Sequence, residues 1–268
     1  WIDGASRVRF VSGATLVPSE RHAATRLLDP AFDPNREVLL LDAPPTVRPL
    51  ATDPTSTSSV QGRAAIVGEE RGGSAGDGAY WLLDPICGTR NFASQLGLYA
   101  SNLALVERGV ACLGVVGDGC NGRVYAARSG ERAFLAAAER TELRVRDGSV
   151  IALDLAGKPP FEGSADGLGA FIARLASDGR YYVRLLGTTL PFAKLACGDL
   201  AAVVLLGSGV HEPLHTAAGC VLAGAAGALV TGPRGEPWTL DTATLVAAAT
   251  PQLHAALLQL LHDCSLAG

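Results

Sequence analysis

The sequence predicts a mixed α/β domain of the α+β type over residues 61–268, behind a compositionally different segment at 1–60. Three observations carry this. Alternating apolar stretches at 101–106, 113–116 and 124–127 read as neighbouring strands of one sheet. Helical patterns rich in alanine are interleaved with strand patterns through the second half. Hydrophobic residues make up 48% of 268 positions, enough to bury a sizeable core in one large domain or two small ones.

In chain order, residues 8–17 alternate loosely like a strand, and 19–28 carry a short helical pattern with Ser19 as its cap. Val38-Leu39-Leu40-Leu41 is a compact apolar run between an Asp-Pro and a Pro-Pro pair, which suits a strand. Residues 44–61 are rich in Pro, Thr and Ser and read as a connector or mobile loop. The folded pattern then opens with a short strand at 64–67, followed by Gly68-Glu69-Glu70 and a glycine-rich loop at 72–78. A strand at 80–83 ends at Asp84-Pro85. After the three strands named above come a helix at 171–175, a strand at 181–185, a helix at 191–197 and a strand at 201–206. The helix expected at 215–226 is rich in alanine and glycine, so it can pack closely, and a terminal helix is expected at 253–261.

A net charge of −4 leaves no basic footprint, which excludes nucleic acid as a partner. The six cysteines Cys87, Cys112, Cys120, Cys197, Cys220 and Cys264 form no CxxC pair and lie mostly in apolar surroundings. They read as reduced thiols of a cytoplasmic protein. Apolar stretches at 195–206 and 245–261 are too short or too interrupted to span a bilayer, so no membrane is expected. No segment has the order of a signal peptide. The chain opens at Trp1 and holds no methionine, so its natural start is expected upstream and the missing signal is weak evidence.

The most specific pattern is W-L-L-D-P-I-C-G-T-R-N-F at 81–92. It resembles the signature of the inositol monophosphatase family, W-x-x-D-P-I-D-G-T-x-N-F, with Cys87 in place of one aspartate. Gly68-Glu69-Glu70 stands where the family has Gly-Glu-Glu, and Arg184 to Thr189 resembles the segment that lines its substrate pocket. Residues 212–219, E-P-L-H-T-A-A-G, line up with the family's P-W-D-x-A-A-G, with Leu214 for tryptophan and His215 for aspartate. The resemblance covers about three quarters of the chain and implies a layered αβαβα sandwich. The family's N-terminal helices and their D-x-V-T-x-x-D element are not recognisable; Thr52-Asp53 is the only remnant, and it lies close to Glu69.

The resemblance also implies a chemistry. Phosphate monoesters hydrolyse very slowly, and family members use magnesium held by carboxylates to activate water and to stabilise the leaving oxygen. Carried over by residue, Glu69, Asp84 and the carbonyl of Ile86 hold a first ion, and Asp84 bridges to a second at the positions of Cys87 and His215. Gly88 and Thr89 cradle phosphate through backbone N–H groups at a helix start, with Gly187 and Thr188 lining the pocket. Thr89 also orients water, which makes Glu69, Asp84 and Thr89 the catalytic set. Magnesium demands oxygen, so Cys87 and His215 imply reduced magnesium occupancy or none. Zinc is the alternative, because it accepts a mixed O/S/N set.

Three functions follow from these residues. The first is a small-molecule phosphate-ester binding or interaction protein, impaired as a magnesium-dependent phosphatase. The second is an active phosphomonoesterase on an inositol- or sugar-type phosphate, using fewer ions or zinc. The third is a repurposed enzyme with Cys87 as nucleophile or His215 as base. The expected partners are a small phosphorylated metabolite and, by resemblance, a second copy in a homodimer. Glu70, His211 and Glu212 are weighed as site neighbours. Asp118 and Asp199 read as turn and helix-boundary residues, His254 and His262 as core-edge or surface residues, and Arg184 as structural.

Overall fold

A computed structural model describes residues 37–42, 46–51, 65–68, 78–136, 141–156, 165–207 and 213–267. The readings at 8–17 and 19–28, the loop at 72–77, and residues Asp53, Glu69, Glu70, His211 and Glu212 lie outside them.

Strands β1 (Glu37–Asp42) and β2 (Thr46–Ala51) form an antiparallel pair, with Glu37 opposite Ala51 and Asp42 opposite Thr46. The strand expected at 38–41 is present. The segment read as a connector supplies its partner, which corrects that reading.

Among the described residues the main sheet runs in chain order: β3 (Ala65–Gly68), β4 (Tyr80–Cys87), β5 (Ala100–Glu107), β6 (Val110–Asp118), β7 (Val124–Arg128), β8 (Phe134–Ala136) and β9 (Thr141–Glu142). β3 is parallel to β4, and every later pairing is antiparallel. A second sheet has the order β11 (Tyr182–Leu185), β10 (Val150–Ala156), β12 (Ala202–Gly207), β14 (Leu245–Ala248), β13 (Leu229–Thr231). β10 is parallel to β11 and β12, while β14 is antiparallel to both its neighbours. The helices are α1 (Thr89–Ala93), α2 (Ala165–Ser177), α3 (Leu190–Ala196), α4 (Ala217–Ala225) and α5 (Pro251–Asp263).

Side-chain burial stacks these elements in layers. Leu82, Ala100, Ala104 and Tyr125 of the main sheet pack on Ala193 of α3 and on Ala217, Val221 and Leu222 of α4. The opposite side of the same helices, through Phe192, Leu195, Cys220 and Ala223, meets Ala152, Val203, Leu205, Leu245 and Ala247 of the second sheet. The far face of that sheet, with Ile151, Leu153, Val204 and Val246, is covered by Phe171 and Leu175 of α2 and by Leu253, Leu257 and Leu261 of α5. The order sheet, helices, sheet, helices gives four layers of the expected sandwich. A helix buried on both sides has little room for long side chains. Accordingly a Cβ on Gly219 would sit 2.8 Å from Phe192, so glycine sets the approach of α4 to α3.

The sequence missed β10 and β14, both short and apolar, which periodicity alone does not separate from helix. The helix expected at 215–226 begins at Ala217 instead; Pro213–His215 is a separate 3-10 turn, because Pro213 and the backbone of Thr216 break the α-helical run. No helix among the described residues is long and apolar enough to cross a membrane.

Candidate functional site

β4 does not stop at Asp84-Pro85, as the sequence reading had it, but continues to Cys87. Its pairing with β5 shifts register between Asp84 and Cys87, and this irregularity accommodates Pro85 and turns the strand end toward the second sheet. Gly88 then takes φ 90°, a left-handed conformation, and α1 begins at Thr89. A Cβ on Gly88 would meet the Leu98 carbonyl at 3.0 Å and Thr188 at 3.2 Å. Only glycine fits both the angle and the space. The turn is tied down by Asn91 Nδ2, which donates to the carbonyls of Leu98 at 2.8 Å and Gly187 at 3.2 Å. The hydroxyl of Thr89 donates to the Ile86 carbonyl at 3.0 Å.

Asp84 is wholly buried. Its Oδ1 accepts from the Ile86 N–H at 3.1 Å, and its Oδ2 lies 2.7 Å from Nδ1 of His215, presented by the 3-10 turn. The hydrogen bond to Asp84, helped by Cys87, pushes the His215 imidazole up to about 11, so the ring is a cation at neutral pH. One ligand atom each from Asp84, Cys87 and His215 lies within 4.8 Å of the other two. The sequence-predicted trio therefore converges although its members come from segments 128 positions apart (215 − 87).

The hydroxyl of Thr189 sits beneath this trio. It donates to the His215 carbonyl at 2.7 Å, accepts from Asn102 Nδ2 at 2.6 Å, and lies 3.0 Å from the Cys87 sulfur. Thr188 is buried, with its hydroxyl donated to the Cys87 carbonyl at 3.1 Å, so this side chain holds the turn and is not offered to a ligand. Gly187 stands at the exposed rim. Glu69 lies outside the described residues; β3 ends at Gly68 opposite Leu83, the residue before Asp84.

Three residues of this region were missed by the sequence reading: Thr189, Asn102 and Asp154. Asn102 stands directly across from Asp84 on β5 and is 1% exposed. Asp154, near the end of β10, accepts a hydrogen bond from the Thr188 N–H and faces the His215 charge, but burial dominates and pushes its carboxyl up to about 7. The available signal was a polar residue inside an apolar strand run, I-A-L-D-L for Asp154 and A-S-N-L-A-L for Asn102. Asp118 caps its turn by accepting from the N–H groups of Cys120 and Asn121, His254 bonds Thr231 at the core edge and His262 is exposed, as expected; Arg184 is exposed and donates to the Val183 carbonyl at 2.9 Å.

The model of the inositol monophosphatase family matches residues 55–266. The chain belongs to the inositol monophosphatase family. It is 32% identical over 213 residues to the inositol-1-monophosphatase ImpA of Mycolicibacterium smegmatis, covering 73% of this chain and 71% of that one. It is 31% identical over 163 residues to the 3'(2'),5'-bisphosphate nucleotidase CysQ of Escherichia coli, covering 59% of this chain and 61% of that one. The solved IMPase of Thermotoga maritima superposes with a TM-score of 0.63 at 26% identity, over 75% of this chain and 74% of that one. The mixed layered fold is thus the family's fold.

The donor set can be tested against the family's magnesium. A hard cation that dehydrates reluctantly needs oxygen, and two of the three converging atoms are sulfur and imidazole nitrogen. That set suits a softer divalent ion better.

Proposed function

We propose that this member of the inositol monophosphatase family binds a small phosphate monoester in the family's pocket and is impaired in ordinary two-magnesium hydrolysis. The observation that carries the reading is the 2.7 Å contact between Asp84 and His215. A carboxylate that would bridge two metal ions is instead neutralised by an imidazolium from its own chain, and magnesium would have to displace that partner while gaining no oxygen from His215 or Cys87. The phosphate would lie on the N–H groups of Gly88 and Thr89, with Gly187 at the rim. Substrates of the relatives, inositol 1-phosphate for ImpA and 3'(2'),5'-bisphosphate nucleotides for CysQ, name the ligand classes to try first.

A second reading, a zinc-dependent phosphomonoesterase, is favoured by the convergence of Asp84, Cys87 and His215; the ion would have to displace the imidazolium and thiol protons on binding. Zinc held there would supply an activated water and a Lewis acid, as it does with mixed ligands elsewhere. Thiol-nucleophile chemistry at Cys87 is disfavoured by its 5% exposure. The same reading takes 61–268 as the catalytic-type domain, the six free thiols as belonging to a reducing cytoplasm, and exposed Phe92, Leu96 and Leu98 as supporting a homodimer.

A phosphatase panel with magnesium, manganese and zinc decides between the readings. The parent is compared with the double replacement Cys87→Asp, His215→Asp. Magnesium-driven phosphate release in the replacement alone supports the first reading. Zinc-restored activity in the chelated parent supports the second, and brisk magnesium-driven release by the parent refutes the first.

A further inference from the structure

Asn102 is 1% exposed, and its Oδ1 is among the few buried polar atoms with no hydrogen-bond partner among the described residues. Its orientation is fixed by Thr189. That hydroxyl has one hydrogen, which goes to the His215 carbonyl, so toward Asn102 it can only accept, and the amide must present its NH2 there. The carbonyl end is thereby turned away from Thr189, on a residue that the strand register sets directly across from Asp84. An acceptor without a donor, beside a buried carboxylate, is an environment that seeks a cation.

We propose that the Asn102 amide oxygen is a fourth protein donor to a zinc-class divalent cation held by Asp84, Cys87 and His215, with Thr189 as the residue that positions it. The inference rests on the zinc reading above and adds to it a residue that neither the motif nor the trio contains. Three observations support it: the register places Asn102 opposite Asp84, the Thr189 hydroxyl accepts from Asn102 at 2.6 Å and lies 3.0 Å from the Cys87 sulfur, and the orphaned oxygen is an unused donor that would raise three ligands to the four of a tetrahedral site. The same Thr189 hydroxyl holds the His215 turn, so one side chain sets the placement of three donors.

The test is zinc chloride titration against a chromogenic chelator, with thermal unfolding read alongside. The parent is expected to bind zinc and to gain thermal stability from it. Asn102→Leu, which keeps the volume and removes the oxygen, should weaken zinc by about 10- to 100-fold, and Thr189→Val should weaken it by about 10-fold. In the cobalt-substituted protein the sulfur-to-metal absorption of Cys87 should survive in Asn102→Leu, while the visible bands that report coordination geometry shift. A folded Asn102→Leu that binds zinc as tightly as the parent overturns the role of Asn102 and leaves the zinc reading standing. A parent that binds no zinc overturns both. If Asn102→Leu fails to fold, Asn102→Asp decides: tighter zinc binding supports the placement, and unchanged or weaker binding refutes it.

Discussion

Nδ1 of His215 lies 2.7 Å from Oδ2 of Asp84, pairing a wholly buried carboxylate with a ring that keeps a third of its surface in water. The pair joins the end of β4 to the turn before α4, and it occupies the ground on which the family builds its metal site.

Removing the ring leaves the carboxylate buried and uncompensated. His215→Ala is expected to destabilise the metal-free protein by about 3 kcal/mol, the low end for a broken buried pair because one partner is partly solvated. Urea unfolding at pH 7 measures it. The imidazole is raised from 6.5 to about 11, so its stabilisation is fully present below pH 6.5 and is lost as pH climbs through 11. The parent should lose stability over that window, and His215→Ala should lack that component of the loss.

Asp154 gives a pH signature of the same sign in a more acidic window. Its unfolded carboxyl releases a proton near 3.8, whereas the folded one retains it up to about 7, chiefly through burial. The folded state therefore binds more protons between those values, and stability falls as pH rises across them. Asp154→Asn should flatten this fall and leave the variant more stable than the parent at pH 8, by roughly 4 kcal/mol at about 1.4 kcal/mol per unit of a rise from 3.8 to about 7. Equal denaturation midpoints for the two proteins at pH 8 would contradict this.

Gly88→Ala combines a left-handed φ with a Cβ 3.0 Å from the Leu98 carbonyl. The expected cost is about 2 kcal/mol. Because the strain sits in the turn that carries the N–H groups proposed to hold phosphate, inorganic phosphate should also bind more weakly, as isothermal titration would read.

Gly219 is the corresponding test of the middle layer. Gly219→Val places new atoms against Phe192, already 2.8 Å from a bare Cβ, and should cost about 3 kcal/mol in thermal or urea unfolding. The neighbouring Gly224, whose Cβ would meet nothing within 4 Å, should accept alanine without such loss.

The site's covalent pattern was easier to read than its supports. Asp84, Cys87, Gly88 and Thr89 stand in one contiguous motif, and His215 in another, so the resemblance of both to the family's motifs located them. Asn102 and Thr189 act through cross-strand register and a hydrogen-bond hub, which depend on how β4, β5 and the start of α3 meet in space. Among the strands, β5 alternates clearly and was legible, and β6 and β7 were read beside it from their apolar runs, whereas β10 and β14 are apolar runs that lack alternation. Asp154 showed only as a polar residue inside an apolar run, since its environment is created by the layer that covers β10.

The free cysteines differ widely in access: Cys120 is exposed, Cys87 is sealed beneath the Thr189 hydroxyl, and Cys220 is enclosed between two sheets with its thiol pushed well up by burial. Each would be modified by an alkylating reagent on its own schedule. Cys120 would react in the native fold, Cys87 when the pocket floor breathes, and Cys220 only when the middle layer parts. Mass spectrometry of a labelling time course thus converts three sulfur atoms into a depth gauge for where this molecule opens first.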